Sequence, residues 1–176
     1  MSLPVVCMID IQKEYTSEER SFFIPGIDVS LKQAHTLLVE SRKKGCPIIH
    51  VKHLQTGEIF NKESPYSDYV SGFEPLSGEH EIIKDNFSCF SSSMFTELLA
   101  QYSDRDIVIA GYGSSMCCLS TIIEGYHRGY RMVFAKDASS AKPTTVHTST
   151  QVHQVMSDVL STFARSMLVA EIMKTF

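Results

Sequence analysis

Ile107-Val-Ile-Ala-Gly-Tyr-Gly-Ser-Ser-Met-Cys117 decides the reading of this chain. Its first four residues are apolar and mostly β-branched, which predicts a buried strand, and Gly111 and Gly113 break the pattern. Cys117 then opens a segment with Leu119, Ile122, Ile123 and Tyr126 at helical spacing, which stops at Gly129. Strand, tight turn and helix in that order place a thiol in the first turn of a helix. There the helix dipole and unpaired backbone amides favour thiolate over thiol.

The same design recurs on either side. Leu3 to Ile9 reads as a fully buried strand ending at Asp10, and Pro47 to Val51 as a second strand. Glu81 to Lys84 is a short third strand, and Arg131 to Ala135 and Ala164 to Val169 complete a set of about six. Helical spacing lies between them: Leu31, Ala34, Leu37 and Leu38 before Gly45; Met94, Phe95, Leu98, Leu99 and Tyr102; Val152, Val155, Met156, Val159 and Leu160. A short helix ends the chain. Alternating strands and helices over residues 1–176 predict a single α/β domain with an open, six-stranded, mainly parallel sheet and helices on both faces. In such sheets ligands sit beyond the carboxyl ends of the strands, where strand order reverses. Asp10, Lys84 and Cys117 all stand at that edge if the first strand is central and neighbours the fourth.

Composition narrows the function. The chain has 176 residues, 43% of them hydrophobic, so it fills a core without staples. A net charge of −4 and no basic cluster longer than Arg42-Lys43-Lys44 give no footprint for nucleic acid or an acidic membrane. A small, weakly charged substrate fits better. The start lacks a basic n-region or cleavage site and no apolar run reaches membrane-spanning length, so a cytoplasmic protein is expected. Five irregularly spaced cysteines suit reduced thiols, with Cys7 and Cys46 as packing residues. Residues Gln55 to Glu79 carry glycines and prolines among polar and aromatic residues, too long for an ordinary connection, and suggest a functional loop or lid.

A carboxylate, an ammonium and a thiol gathered at one edge form the inventory of a thiol hydrolase. Asp10 is suited to take the thiol proton and return it to a leaving amine, Lys84 to favour the thiolate, and amides around Gly113 and Cys117 to hold an oxyanion. Competing readings fare worse. The dinucleotide fingerprint lacks its third glycine, with Met116 in that place. Cys117-Cys118 permits a redox pair, yet no Cys-x-x-Cys exists. His50, His53, His80, His127, His147 and His153 lack close-spaced partners of zinc-site type, and no metal or other cofactor is expected.

Three blocks carry a resemblance over nearly the whole length. Val5-Val-Cys-Met-Ile-Asp10-Ile-Gln12 with Tyr15, Gly78-Glu79 to Lys84 and on to Ser88-Cys-Phe90, and Ile107 to Cys118 followed by Gly129-Tyr130 and Asp137-Ala138 resemble, in order and spacing, the isochorismatase-like cysteine hydrolases of Rossmann-like fold. The resemblance implies a catalytic triad of Asp10, Lys84 and Cys117, a thioester intermediate, and a non-proline cis peptide at Tyr112–Gly113 that aims the Gly113 amide at the oxyanion. Nicotinamidase-type members bind a metal through Asp-x-His, where this chain has His53 and Gln55, so a metal-independent enzyme is implied. Isochorismatase chemistry splits a vinyl ether without the cysteine, so Cys117 favours C–N bonds: a small amide, ureido or carbamoyl substrate. The alternatives are a vinyl-ether hydrolase and an inactive binding or regulatory protein of the same fold. No carboxylate-binding arginine is identifiable, since Arg20 and Arg42 lie in unsuitable places. Tyr15, His53, Phe60, Phe90, Tyr112 and Met116 are the expected pocket wall. The family often oligomerises, and the Phe60 to Phe73 loop together with Leu168, Ile172, Met173 and Phe176 offers apolar residues for a homo-oligomer, a dimer or higher.

Overall fold

The computed structural model describes residues 2–176. Six strands, β1 (Val5–Ile9), β2 (Ile48–His53), β3 (His80–Lys84), β4 (Asp106–Tyr112), β5 (Arg131–Ser140) and β6 (Arg165–Met167), form one sheet of order β3-β2-β1-β4-β5-β6. Every pairing is parallel. Five helices cover it: α1 (Asp28–Lys44), α2 (Ser93–Ala100), α3 (Cys117–His127), α4 (Ser149–Leu160) and α5 (Val169–Ile172). None is long and apolar enough to cross a membrane.

Strand residues sort to the two faces with period two. Val6 and Met8 join Ala34, Leu37 and Leu38 of α1 and Val169 and Ile172 of α5 in one buried cluster. Val5, Cys7 and Ile9 join Phe95, Leu98 and Leu99 of α2, Cys118 and Ile122 of α3 and Leu160 of α4 in the other. Because both faces are covered, β1 is buried along its whole length and its sequence is a continuous apolar run.

Registry sets the active edge. Ile9 lies opposite Val51 on one side and Gly111 on the other, and His53 lies opposite Lys84, so four strands end nearly level. Strand order reverses between β1 and β4. Gly111 permits their approach: with φ +111°, a Cβ there would stand 2.0 Å from the Ile9 carbonyl oxygen. Helix α1 ends in the left-handed Gly45, and a Thr148–Gln151 capping box starts α4.

Several expectations need correction. The buried face of α3 is Cys118, Thr121, Ile122 and Gly125, while Tyr126 is half exposed. Small residues there let the helix lie close, and a Cβ on Gly125 would meet Met132 Sδ at 2.7 Å. On α4 only Leu160 of the apolar stripe is buried, with Val155 and Val159 exposed, because the helix turns the polar Ser149 and His153 toward the sheet as well. Strand β5 continues through the polar Lys136-Asp137 to Ser140, past a register shift opposite Ile109 and Gly111. Of the residues expected to join subunits, Phe60, Phe73 and Ile172 are buried in the first cluster, Met173 and Phe176 pack partly buried against it, and Leu168 is exposed.

Candidate active site

Asp10 follows β1 in the left-handed region, φ 50°, a conformation that aspartate tolerates better than most residues. Lys84 ends β3, and Cys117 begins α3 directly beyond β4. Their side chains converge. Lys84 Nζ lies 2.8 Å from Asp10 Oδ2 and 3.4 Å from Cys117 Sγ, and it donates to the Asn86 carbonyl at 3.0 Å. His53, at the end of β2, places Nδ1 2.9 Å from the same nitrogen. Three N–H donors therefore face four acceptors in a site where Asp10 and Lys84 are sealed from solvent.

This geometry sets the protonation states. Burial opposes the Lys84 ammonium, but the Asp10 charge foremost, with the Cys117 sulfur next, outweighs it and raises the lysine above its ordinary value. Burial and then Lys84 push His53 down, so its imidazole is neutral near pH 7. Nδ1 accepts from Lys84, which leaves Nε2–H to donate to Gln55 Oε1 at 3.1 Å. For Cys117, burial comes first and the Asp10 charge second; both raise the thiol well above its usual value, against a smaller opposing effect of Lys84. Burial and the Asp10 charge thus oppose the thiolate that a helix start favours.

Asp10 lies beside that sulfur, its carboxylate within 4.8 Å of it. Its Oδ2 meets Lys84 off the hydrogen-bond axis, and neither carboxylate oxygen receives a hydrogen bond among the described residues. Oδ2 is thus held by charge, and Oδ1 keeps its lone pairs free. Asp10, His53 and Cys117 present side-chain atoms within 4.8 Å of one another, a spacing that suits a metal ion. Lys84 contacts all three, however, so the place a cation would take already holds a positive charge, and the donor set does not fit a resident metal.

A cavity of about 170 Å³ reaches Cys117. For scale, one of about 150 Å³ holds a benzene-sized molecule. Tyr15, Phe22, Phe60 and Phe87 form aromatic walls, with Ile59 and Met116 between them. The polar lining comes from His53, Gln55, Asp85 and Asn86. Tyr15, His53, Phe60 and Met116 are therefore where the sequence placed them. Phe60 adopts φ 50°, a costly conformation for an aromatic residue, and packs 5.4 Å from Tyr15 and 5.0 Å from His53.

Phe90 is not in this wall. Ser88 accepts a hydrogen bond from the Phe90 amide at 3.2 Å and turns the chain inward. The ring then packs 5.1 Å from Phe95 and stacks on Tyr130 at 5.8 Å. Phe87, three residues earlier and half exposed, takes the expected place. Tyr112 lies behind the wall, its hydroxyl 2.9 Å from Ser30 Oγ and its ring 5.6 Å from Tyr15. Phe22, Phe87 and Asp85 gave no periodic signal, since all three lie in irregular segments.

Two supports complete the site. Gln12 is fully buried and saturated: its amide nitrogen donates to His53 O at 3.0 Å and Ser67 O at 2.8 Å, and its oxygen accepts from His53 N at 2.9 Å. It ties the ends of β1 and β2 to the 55–79 segment, part of which thereby becomes a fixed wall. The Tyr112–Gly113 peptide is cis, as the resemblance implied. Beyond it, the Met116 and Cys118 amides both donate to Gly113 O, at 3.0 and 3.1 Å. The Gly113 and Cys117 amides have no acceptor among the described residues. His153 braces this turn, with Nδ1 2.9 Å from Ser114 Oγ and Nε2 2.9 Å from Lys136 O.

An open parallel sheet with a thiol, an ammonium and a carboxylate at its switch point is the architecture of a hydrolase family, and residues 4–164 match the isochorismatase domain. The chain belongs to that family. A crystal structure of an isochorismatase from Pseudomonas putida superposes with a TM-score of 0.88 at 30% identity, covering 96% of this chain and 89% of the other. A secreted isochorismatase effector, Isc1 of Verticillium dahliae, is 28% identical over 136 residues, 76% of this chain and 70% of its own. Maleamate amidohydrolase of P. putida is 23% identical over 160 residues, 82% of this chain and 75% of its own.

Proposed function

We propose that this chain is a metal-independent cysteine amidohydrolase acting on the C–N bond of a small amide, ureido or carbamoyl compound through a thioester. The carrying observation is the buried contact of Lys84 with both Asp10 and Cys117, 2.8 and 3.4 Å, beside a cavity open to the sulfur. Similarity to maleamate amidohydrolase and to a nicotinamidase of Arabidopsis thaliana supports amide chemistry. Five free cysteines suit a cytoplasmic setting.

In this reading Asp10 takes the Cys117 proton as sulfur attacks the carbonyl carbon. The new S–C bond pushes the carbonyl electrons onto oxygen, where the Gly113 and Cys117 amides receive them. Collapse of the intermediate breaks the C–N bond, and the amine leaves with the proton held by Asp10. Water, losing a proton to Asp10, then attacks the thioester; the acid departs and sulfur recovers its proton. Lys84 holds the charge of Asp10 and the developing thiolate in place throughout. Gln55, positioned by His53, lies on the cavity wall, where its amide can meet the substrate.

The test is ammonia release from a panel of small amides by the wild type and Cys117→Ser. Turnover falls by on the order of 10³-fold or more in the variant if sulfur is the nucleophile. Undiminished release, or iodoacetamide reacting first with Cys7 or Cys89, overturns the proposal.

A further inference from the structure

The cavity that leads to Cys117 is unbalanced in charge. Asp85 is the one carboxylate in the lining; burial favours the protonated forms of Tyr15 and Cys117 and the neutral form of His53. Asp85 is exposed and makes no ion pair within 4.0 Å among the described residues. Lys84 is sealed beneath the floor and paired with Asp10. No lysine or arginine is in the lining. Arg20 is held by Glu14 at 2.9 Å, and Lys142 sits over the Phe22 ring, 4.5 Å from its centroid, outside the lining. Anion-favouring groups, the amides of Gly113 and of the first turn of α3, lie at the reacting carbon, where the oxyanion forms. The rest of the substrate meets Tyr15, Phe22, Phe60, Phe87 and one carboxylate. Aromatic faces attract cations and tolerate flat neutral groups, whereas a carboxylate there would lose its water to apolar walls and face Asp85.

We infer that the site selects substrates whose part distal to the scissile bond is uncharged or cationic, with Asp85 and the aromatic wall as the specificity determinants that exclude carboxylate-bearing amides. This rests on the proposed nucleophilic role of Cys117 only for the word substrate; charge selection at the cavity is measurable without turnover.

Three thiol reagents with one warhead and different distal charge provide the measurement: N-ethyliodoacetamide, its cationic N-(2-aminoethyl) analogue and the anionic N-iodoacetylglycine. Alkylation of Cys117 in the full chain is followed by peptide mass, and each rate is divided by that reagent's rate with glutathione. The cationic and neutral reagents are expected to exceed the anionic one by about fivefold or more, a gap that shrinks at high salt because Asp85 is exposed. In Asp85→Asn the cation-to-anion ratio, referred to the neutral reagent in the same variant, falls toward one; in Asp85→Lys it inverts. An anionic reagent that reacts as fast as the neutral one, or a ratio indifferent to both substitutions, overturns the inference while leaving the hydrolase reading intact. Failure of all three to reach Cys117 overturns both, because the cavity then does not serve the sulfur. Amide turnover lost with charge selection retained overturns the hydrolase reading alone.

Discussion

Replacing Asp10 with Asn is expected to make Cys117 more reactive toward an alkylating agent while abolishing hydrolysis. The two effects separate because Asp10 does two things to the sulfur: it waits for the proton, and its charge keeps that proton on. The carboxylate and the sulfur approach within 4.8 Å. Two unit charges at that distance repel by about 3 kcal/mol at an effective dielectric of 20, or about two pKa units. Asparagine removes the charge and keeps the shape, leaving the sulfur facing the ammonium 3.4 Å away. Lys84 loses its strongest ally in the same step, so the full Coulomb effect is not realised, and a gain of about tenfold in thiolate near neutral pH is the working expectation. Iodoacetamide kinetics between pH 6 and 10, read at Cys117, give the pKa directly, and ammonia release gives turnover. The expected pattern is a titration displaced to lower pH in Asp10→Asn with turnover lost. A titration unmoved or displaced upward refutes the electrostatic account, and retained turnover refutes Asp10 as the base.

Other perturbations follow from the same structure. Lys84→Met strands a buried carboxylate and is expected to destabilise the fold by about 3–5 kcal/mol in urea unfolding, whereas Lys84→Met with Asp10→Asn regains much of the loss. Gly111→Ala forces a Cβ against the Ile9 carbonyl at 2.0 Å in a left-handed backbone, so loss of folded protein by circular dichroism is the expected outcome. Burial pushes Glu79 up, but two hydrogen bonds from Arg42, with further ones from the Leu76 amide and His50, hold it at about 2. A depressed carboxylate stabilises the fold above its unfolded value and loses that contribution as pH falls from about 4.5 through about 2. Glu79→Gln is therefore expected to cost about 1 kcal/mol at pH 7, after allowance for partial exposure, and to leave a smaller difference at pH 2.5, as thermal unfolding at both values will report.

The sheet was legible because parallel strands buried on both faces are written as uninterrupted apolar runs, and Val5 to Ile9 or Ile107 to Ala110 admit few other readings. The convergence of Asp10, Lys84 and Cys117 was legible for a related reason: they are polar residues just past points where such runs stop. Periodicity failed where burial depends on a neighbour. The stripe on α4 has correct helical spacing yet faces outward past Leu160, and α3 buries Thr121 and Gly125 in preference to Ile123 and Tyr126 because close packing there requires small side chains. Phe90 and Phe87 differ only in which side of a serine-capped turn they fall, something no pattern of apolar residues encodes. The burial that opposes a Cys117 thiolate was not legible, because a helix start is visible in sequence and the depth of a residue is not.

Phe87, Phe22 and Phe60 sit in connecting segments, whereas Asp10 and Lys84 are fixed at strand ends and Cys117 at the start of α3. On the proposed function, what the enzyme accepts and what it does to it are thus written in different parts of the chain. Drift in residues 15–24, 55–64 and 85–88 can re-tailor the receptacle while the reaction machinery stays untouched, which gives this scaffold a cheap route from one substrate to another.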